Sequence, residues 1–219
     1  MIGGVRLAVF DCDGTLVDGQ HDIVAAMDEA FAGLGMTPPP RDATRRIVGL
    51  SLPQAMRRLV PDVAPELQVA LVSAYKSAYR LARVEGRLGE PLYDGIRALL
   101  DALRAGGWDL AVATGKSDRG LIHCLASHDL SGHFVSLQTA DRHPSKPHPA
   151  MLEAALAEAM ALPQDSVMIG DTSYDIAMAR AANVRAIGVA WGYHSAAELL
   201  AAGADIVAET PAHLQEILA

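Results

Sequence analysis

This chain of 219 residues has few cysteines, no long apolar run and no excess of positive charge. Only Cys12 and Cys124 occur, too few for a disulfide framework, and their spacing is not that of a metal site. No apolar run approaches the roughly 20 residues that span a bilayer, and no leader sequence is recognisable. Asp and Glu number 26 against 18 Lys and Arg, and the net charge of -8 argues against a nucleic-acid or anionic-membrane partner. We therefore expect a soluble, cytoplasmic protein that binds neither.

Apolar residues are abundant, at 51% of the chain, and their pattern predicts an α/β fold. The segment VRLAVF at residues 5–10 does not alternate between apolar and polar residues, which suits a strand covered on both faces of a parallel sheet. Further strand-like runs alternate with helical segments. These runs lie at residues 109–114, 134–140, 166–171, 185–190 and 205–209. The expected fold is a doubly wound, mainly parallel, Rossmann-like sheet, in which Asp94 caps a helix that ends at Gly106.

Residues 17–90 differ from the rest because they contain helical patterns and no convincing strand. One helix, over residues 22–35, has an apolar face formed by Ile23, Met27, Phe31 and Leu34. A second, longer helix is predicted over residues 65–84. We therefore expect an all-helical cap at residues 17–90, inserted into a catalytic α/β core made of residues 1–16 and 91–219.

Polar side chains follow several of the predicted strands. Asp11 and Asp13 come directly after the first strand, and Thr114 and Gly115 end the second. Lys146 lies in the loop after the third strand, while Asp171 ends the fourth and Asp175 follows it. The carboxyl ends of parallel strands share one edge of the sheet, where ligands bind in open α/β folds. We therefore expect these side chains to meet there.

Four carboxylates cannot share a small site without a counter-charge, because neighbouring like charges oppose joint ionisation. Oxygen donors without His or Cys suit Mg2+, which Asp11 and Asp171 are expected to bind, with Asp175 in support. After Mg2+ and Lys146 are counted, one negative charge remains in excess, and protonation of Asp13 would remove it. A protonated aspartate beside an ionised one supplies an acid and a nucleophile for phosphomonoester hydrolysis through an aspartyl phosphate.

Four motifs of this chain resemble those of the haloacid dehalogenase-like (HAD) hydrolases. They are DCDGTLVD at residues 11–18, the strand end at Thr114, SKPHP around Lys146 and GDTSYD at residues 170–175. Their order and approximate spacing match the family, and the resemblance extends over the whole chain, including the helical cap. Within the family, the chain resembles the phosphoglycolate phosphatase and β-phosphoglucomutase branch, although Gly19 stands where these phosphatases commonly have serine.

The resemblance implies a role for each motif residue. Asp11 is the nucleophile and Asp13 the general acid and base, while Lys146 neutralises charge. The phosphoryl group is bound by Thr114, Gly115 and Lys146. The metal is held by Asp11, the backbone carbonyl of Asp13, Asp171 and Asp175. From the residues alone, Asp175 has a second interpretation, in which it only stabilises the N-terminus of its helix.

We expect a Mg2+-dependent phosphatase that hydrolyses a small, phosphoglycolate-like phosphomonoester through an aspartyl phosphate. A sugar phosphate mutase like β-phosphoglucomutase is the alternative enzyme, and an inactive binding module with the HAD fold is the alternative of another class. A dehalogenase is disfavoured, because hydrolysis at carbon needs neither a metal nor a second acid. The expected partner is a small phosphorylated metabolite, and the protein is expected to be a monomer or homodimer. Four cap arginines form either a solvated face or a contact to a substrate carboxylate: Arg45, Arg46, Arg57 and Arg58.

Overall fold

The computed structural model describes residues 5–219, so residues 1–4 of the predicted core segment lie outside the described residues. Within that range the chain forms six strands. They are β1 (Arg6–Phe10), β2 (Trp108–Thr114), β3 (Ser136–Thr139), β4 (Ser166–Gly170), β5 (Arg185–Val189) and β6 (Ile206–Ala208). All neighbouring strands pair in parallel, in the order β3-β2-β1-β4-β5-β6. The prediction of a doubly wound parallel sheet is therefore confirmed.

Five α-helices lie between β1 and β2 in the sequence, and five follow in the rest of the described chain. The first four are α1 (Gln20–Gly33), α2 (Arg41–Arg45), α3 (Leu52–Leu59) and α4 (Pro65–Val84). The others are α5 (Ile96–Ala105), α6 (Asp118–Ser127), α7 (Ala150–Ala159), α8 (Ser173–Ala181), α9 (Ala196–Ala201) and α10 (Pro211–Leu218). No helix of residues 5–219 combines the length and apolar character that a membrane crossing requires.

Strand β1 is central, and both of its faces are covered. Ala8 and Phe10 belong to one buried apolar cluster, whereas Leu7 and Val9 belong to the cluster on the opposite face. All four side chains are fully buried. This two-sided burial explains why the strand is apolar without alternation. It also fixes the direction in which the chain leaves the sheet, so Asp11 emerges at the carboxyl edge.

Helices α1 to α4 pack against one another around a third apolar cluster, which includes Met27, Phe31 and Leu71. The long helix occupies the predicted residues, Pro65–Val84. Helix α1 begins two residues before the predicted start, and Leu34 lies beyond its end and is 38% exposed. The assignment of Leu34 to the apolar face was therefore wrong, because the last helical turn had already ended.

The predicted cap of α5 was also wrong. The residue before this helix is Gly95, which has a φ of 87° and offers no side-chain cap. The Ile96 N–H donates to the backbone carbonyl of Tyr93 instead. A left-handed turn, which glycine adopts without steric cost, therefore replaces the side-chain cap expected from Asp94. The expected end at Gly106 is confirmed.

Candidate active site

The carboxyl edge of the sheet brings together polar side chains that are far apart in the sequence. Asp11 follows β1, Thr114 ends β2, Lys146 lies in the loop after β3 and Asp171 follows β4. Each of these residues is at most 1% exposed. Burying the ionisable side chains of Asp11, Lys146 and Asp171 is costly unless their charges are paired. The contacts between them therefore decide whether this edge of the sheet is stable.

Lys146 lies at the centre of the cluster. Its Nζ atom is 2.9 Å from Asp11 Oδ1 and 2.6 Å from Asp175 Oδ1. Burial lowers the pKa of Lys146, but Asp11 and Asp175 outweigh this and hold it above its usual value. Burial also raises the pKa of Asp11 to about 7, against the opposing effect of Lys146. The lysine therefore stays positively charged, beside a carboxylate that carries an energetic cost when ionised.

Asp171 is held in place from two directions. Its Oδ1 accepts a hydrogen bond of 2.8 Å from Thr15 Oγ1, and its Oδ2 accepts one of 2.9 Å from the Tyr193 N–H. Burial raises its pKa well above the usual value, and Asp175 and Asp11 raise it further. The carboxylates of Asp11, Asp171 and Asp175 therefore lie close together, and Lys146 is the positively charged side chain that contacts two of them.

Asp175 has structural contacts at both carboxylate oxygens. Its Oδ2 accepts hydrogen bonds from the backbone N–H and the hydroxyl of Thr172, which form a capping box at the start of α8. Its Oδ1 contacts Lys146. Asp175 therefore stabilises the start of α8, and a direct bond from Asp175 to the metal, which stays a prediction, would have to share an oxygen that is already engaged.

The donor set fits a hard divalent cation. One oxygen from each of Asp11, Asp171 and Asp175 lies within 4.8 Å of the others. Both carboxylate oxygens of Asp11 are buried, and neither has a hydrogen-bond partner among the described residues, so one can face a cation while the other stays free. An unpartnered carboxylate oxygen beside two further carboxylates is the arrangement that an oxygen-binding cation would stabilise.

Asp13 faces a second buried lysine that the sequence reasoning did not assign. Lys116 Nζ is 3.0 Å from Asp13 Oδ1 and 2.5 Å from Glu90 Oε1. Burial raises the pKa of Asp13, although Lys116 opposes this shift. Because Lys116 and Glu90 carry opposite charges, they leave the charge balance of the predicted site unchanged. The sequence did contain a signal that Lys116 belongs to the site, because it lies two residues after Thr114 in the same strand-end loop.

Thr114 and Gly115 lie where the helical segment meets the sheet edge. Thr114 Oγ1 accepts a hydrogen bond of 3.2 Å from the Lys116 N–H. A Cβ atom at Gly115 would lie 2.7 Å from the carbonyl oxygens of Gly49 and Leu50, in the loop between α2 and α3. Only glycine permits this approach, which seats the loop directly above the strand ends.

The cap arginines that sequence reasoning singled out do not line the cavity at this edge. Arg46 is 2.7 Å from Glu198 in the core, and its backbone carbonyl accepts a hydrogen bond from Tyr174. Arg57 contacts Gln54, and Arg58 lies over the ring of Tyr174. Arg45 is 4.0 Å from Asp42. These four side chains therefore lie outside the cavity, and a contact between one of them and a substrate carboxylate stays a prediction.

Gly192 is a further residue that sequence reasoning missed. It follows β5 at the same sheet edge, and a Cβ atom there would clash with the side chain of Asp171. The signal was present, since the loop after another parallel strand was expected to reach this edge. Small residues are needed here because Asp171 occupies the space that a side chain would take.

We expect Gly192→Ala to lower the free energy of unfolding by about 1–3 kcal/mol, since the added methyl group must displace Asp171 or the backbone. Gly132→Ala is the matched control, because a Cβ there meets no atom within 4 Å. Its effect should stay within about 0.5 kcal/mol. Urea denaturation measures both, and equal stabilities of the two variants would contradict the tight packing around Asp171.

Comparisons with known proteins identify the family of this chain. The family model for haloacid dehalogenase-like hydrolases matches residues 8–189. The probable phosphatase IndB of Dickeya dadantii is 35% identical, over 93% of this chain and 89% of that protein. A phosphoglycolate phosphatase of Pseudomonas putida is 32% identical, over 94% of this chain and 74% of that protein. The crystal structure of a predicted phosphatase from Clostridium acetobutylicum superposes with a TM-score of 0.88 at 25% identity, over 99% of each chain.

Proposed function

Because this chain belongs to the HAD-like hydrolases, in the phosphoglycolate phosphatase-like branch, and is a hydrolase of phosphoric monoesters, we propose that it acts with Mg2+ through an aspartyl phosphate on Asp11. The proposed substrate is a small phosphomonoester whose leaving group carries a carboxylate, as that of phosphoglycolate does.

The observation that carries the proposal is the environment of Asp11. One carboxylate oxygen contacts Lys146 at 2.9 Å, while the other is buried and has no hydrogen-bond partner within residues 5–219. A nucleophile needs a free electron pair directed at the reacting atom, and an unpartnered oxygen provides one. Lys146 holds the carboxylate in one orientation.

We propose that Asp11 Oδ2 attacks the phosphorus atom while Asp13 donates a proton to the leaving oxygen. Asp13 would be protonated when the substrate is bound, and burial raises its pKa in that direction, while Lys116 opposes the shift. Asp13 then takes a proton from the water that hydrolyses the aspartyl phosphate. Thr114, Gly115 and Lys146 would bind the phosphoryl oxygens through a hydroxyl, a backbone N–H and an ammonium group.

Asp11, Asp171 and the backbone carbonyl of Asp13 would hold Mg2+, with Asp175 positioning Lys146 beside them. When bound, the ion offsets the negative charge of the phosphoryl group and of the carboxylates. The buried carboxylates of Asp11 and Asp171 support this assignment, because burial and mutual repulsion raise their pKa values, and a bound cation would offset both effects.

We propose that residues 17–90 form a cap that closes over the core made of residues 1–16 and 91–219. The Ser51 N–H donates to Ser145 Oγ at 2.8 Å, and Gly49 and Leu50 pack against Gly115. These contacts support a cap whose backbone lies above the strand ends proposed to bind the phosphoryl group. Closure of this kind excludes bulk water and completes the site.

We expect hydrolysis of p-nitrophenyl phosphate to require Mg2+ and to cease in EDTA. Mg2+ should also stabilise the fold, by about 2.7 kcal/mol at one hundred times its dissociation constant, because it binds the native state. Thermal denaturation with EDTA and with millimolar Mg2+ measures this effect. An inactive binding module would show no turnover under either condition.

Asp171→Asn is the matched variant for the metal experiment. The amide is nearly isosteric but carries no charge, so Mg2+ should shift the melting temperature of this variant much less than that of the wild type. Metal-independent turnover together with equal Mg2+ shifts in both proteins would contradict the assigned metal site.

A further inference from the structure

A cavity of about 500 Å³ lies between the proposed cap and the strand ends. Its floor contains Asp11, Asp13 and Thr114. Pockets of this size, within the usual range of roughly 300–1,000 Å³, hold ligands much larger than a two-carbon acid. Phosphoglycolate would occupy the phosphoryl end of the cavity and leave the remainder empty.

Apolar side chains form part of the cavity wall. They are Ile23 and Met27 from α1, Ile47 and Leu50 from the segment between α2 and α3, and Leu52 at the start of α3. Packing within the cap explains why Met27, Ile47 and Leu50 are buried. It does not explain why they also border an open cavity that leads to the candidate nucleophile.

Two tyrosines of α4 complete this wall. Tyr75 and Tyr79 lie one helical turn apart and both line the cavity. Their rings are stacked, with centroids 5.8 Å apart and an interplanar angle of 24°. The Tyr79 hydroxyl donates to Glu90 Oε1 at 2.7 Å, which fixes the orientation of the ring. Preorganised aromatic surface of this kind favours a flat, apolar group in the ligand.

Arg83, one turn beyond Tyr79 on the same face of α4, also lines the cavity. Its guanidinium carbon is 5.7 Å from the centroid of the Tyr79 ring. Its Nε atom is buried and has no hydrogen-bond partner in the described part of the chain. The nearby Glu90 already accepts Lys116 and Tyr79 at Oε1. A buried donor without a partner is costly, and a guanidinium group matches the geometry of a carboxylate.

We propose that the leaving group of the substrate is an aromatic ring that carries a carboxylate. The ring packs against Tyr75 and Tyr79, and the carboxylate binds to Arg83. This inference rests on the proposed function, since it assumes that the phosphoryl group lies at Asp11. It refines the substrate class from a small acid to a larger, aromatic acid.

Three alkyl phosphates test this substrate class at comparable leaving-group chemistry. They are 4-carboxybenzyl phosphate, benzyl phosphate without the carboxylate, and phosphoglycolate without the ring. We expect kcat/KM for 4-carboxybenzyl phosphate to exceed each of the other two by about tenfold or more, because a buried ring and a charged hydrogen bond each contribute at least that factor. A higher kcat/KM for phosphoglycolate than for 4-carboxybenzyl phosphate would overturn the inference.

The role of Arg83 is tested by the ratio of kcat/KM for 4-carboxybenzyl phosphate to that for benzyl phosphate. We expect Arg83→Met to lower this ratio by about 10- to 100-fold, the value of a hydrogen bond to a charged group. Arg83→Lys, which keeps the charge and loses the fork, should lower it less and guards against misfolding of the first variant. Arg57→Met is the matched control, because Arg57 is an exposed cap residue outside the cavity, and it should leave the ratio unchanged.

The outcomes separate this inference from the function on which it rests. If the wild type hydrolyses all three esters and neither Arg83 variant changes the ratio, the inference is wrong and the phosphatase mechanism stands. If no ester is hydrolysed in the presence of Mg2+, the proposed function and the inference both fail.

Discussion

Replacing Asp11 with asparagine should reduce turnover to less than about a hundredth of the wild-type rate, because the amide cannot attack phosphorus. The amide is nearly isosteric with the carboxylate, and the fold should remain intact. Loss of the charge removes the cost of burying the carboxylate, which is the main reason that the pKa of Asp11 is raised, and the repulsion from Asp175 and Asp13; together these outweigh the lost attraction to Lys146. We therefore expect the melting temperature in EDTA to be equal to that of the wild type or higher.

The matched control for this experiment is Asp18→Asn. Asp18 belongs to the same sequence motif but is exposed, and its Oδ1 only accepts a hydrogen bond from the Gln20 N–H. This variant should retain wild-type turnover after the same purification. Activity of Asp11→Asn above a few hundredths of the wild-type rate, with contaminating phosphatase excluded, would remove Asp11 from its role as nucleophile.

Replacing Asp13 with asparagine should cause a loss that depends on the leaving group. An alkoxide leaves poorly without a proton, and general acid catalysis contributes roughly 10²- to 10⁴-fold. An alkyl phosphate should therefore suffer a loss of this size in the first chemical step. The same step with p-nitrophenyl phosphate should be affected much less, because p-nitrophenolate needs little protonation.

Pre-steady-state measurements are needed to compare these substrates, since slow hydrolysis of the aspartyl phosphate limits steady-state turnover in this variant. The size and rate of the first burst of leaving group report the first step alone. Equal losses in the burst rate for both substrates would assign Asp13 a structural role. Lys116 retains Glu90 as a partner in this variant, so its charge stays compensated.

The sheet was predictable because strand burial leaves a direct trace in the sequence. The continuous apolar run of β1 reflects the apolar clusters on both of its faces. Parallel pairing then implied that Asp11, Thr114, Lys146 and Asp171 reach one edge, and in the structure they do. Helix ends were less predictable. Asp94 was expected to cap α5, but Gly95 begins the helix in a left-handed turn, and the sequence does not show which of the two forms.

The contacts around Asp13 and in the cavity could not be predicted from the sequence. Glu90 meets Lys116 only because the chain returns from α4 to the strand ends, and this tertiary contact leaves no periodic pattern. The same holds for the cap arginines. The sequence gives no reason to prefer Arg83 over Arg45 or Arg46 as a cavity residue. The packing of α4 brings Arg83 to the cavity, and the other two do not line it.

The central claim is that Asp11 forms a covalent bond to the phosphoryl group, and the Asp13→Asn variant offers the most direct test. With p-nitrophenyl phosphate and Mg2+, this variant should form the aspartyl phosphate but hydrolyse it slowly, because the base that activates water is missing. Borohydride reduction after a rapid quench converts an aspartyl phosphate to homoserine, which peptide mass spectrometry locates. We predict homoserine at position 11, in an amount equal to the burst of p-nitrophenol. A burst with residue 11 unmodified, or release of inorganic phosphate without any covalent species, would contradict the account.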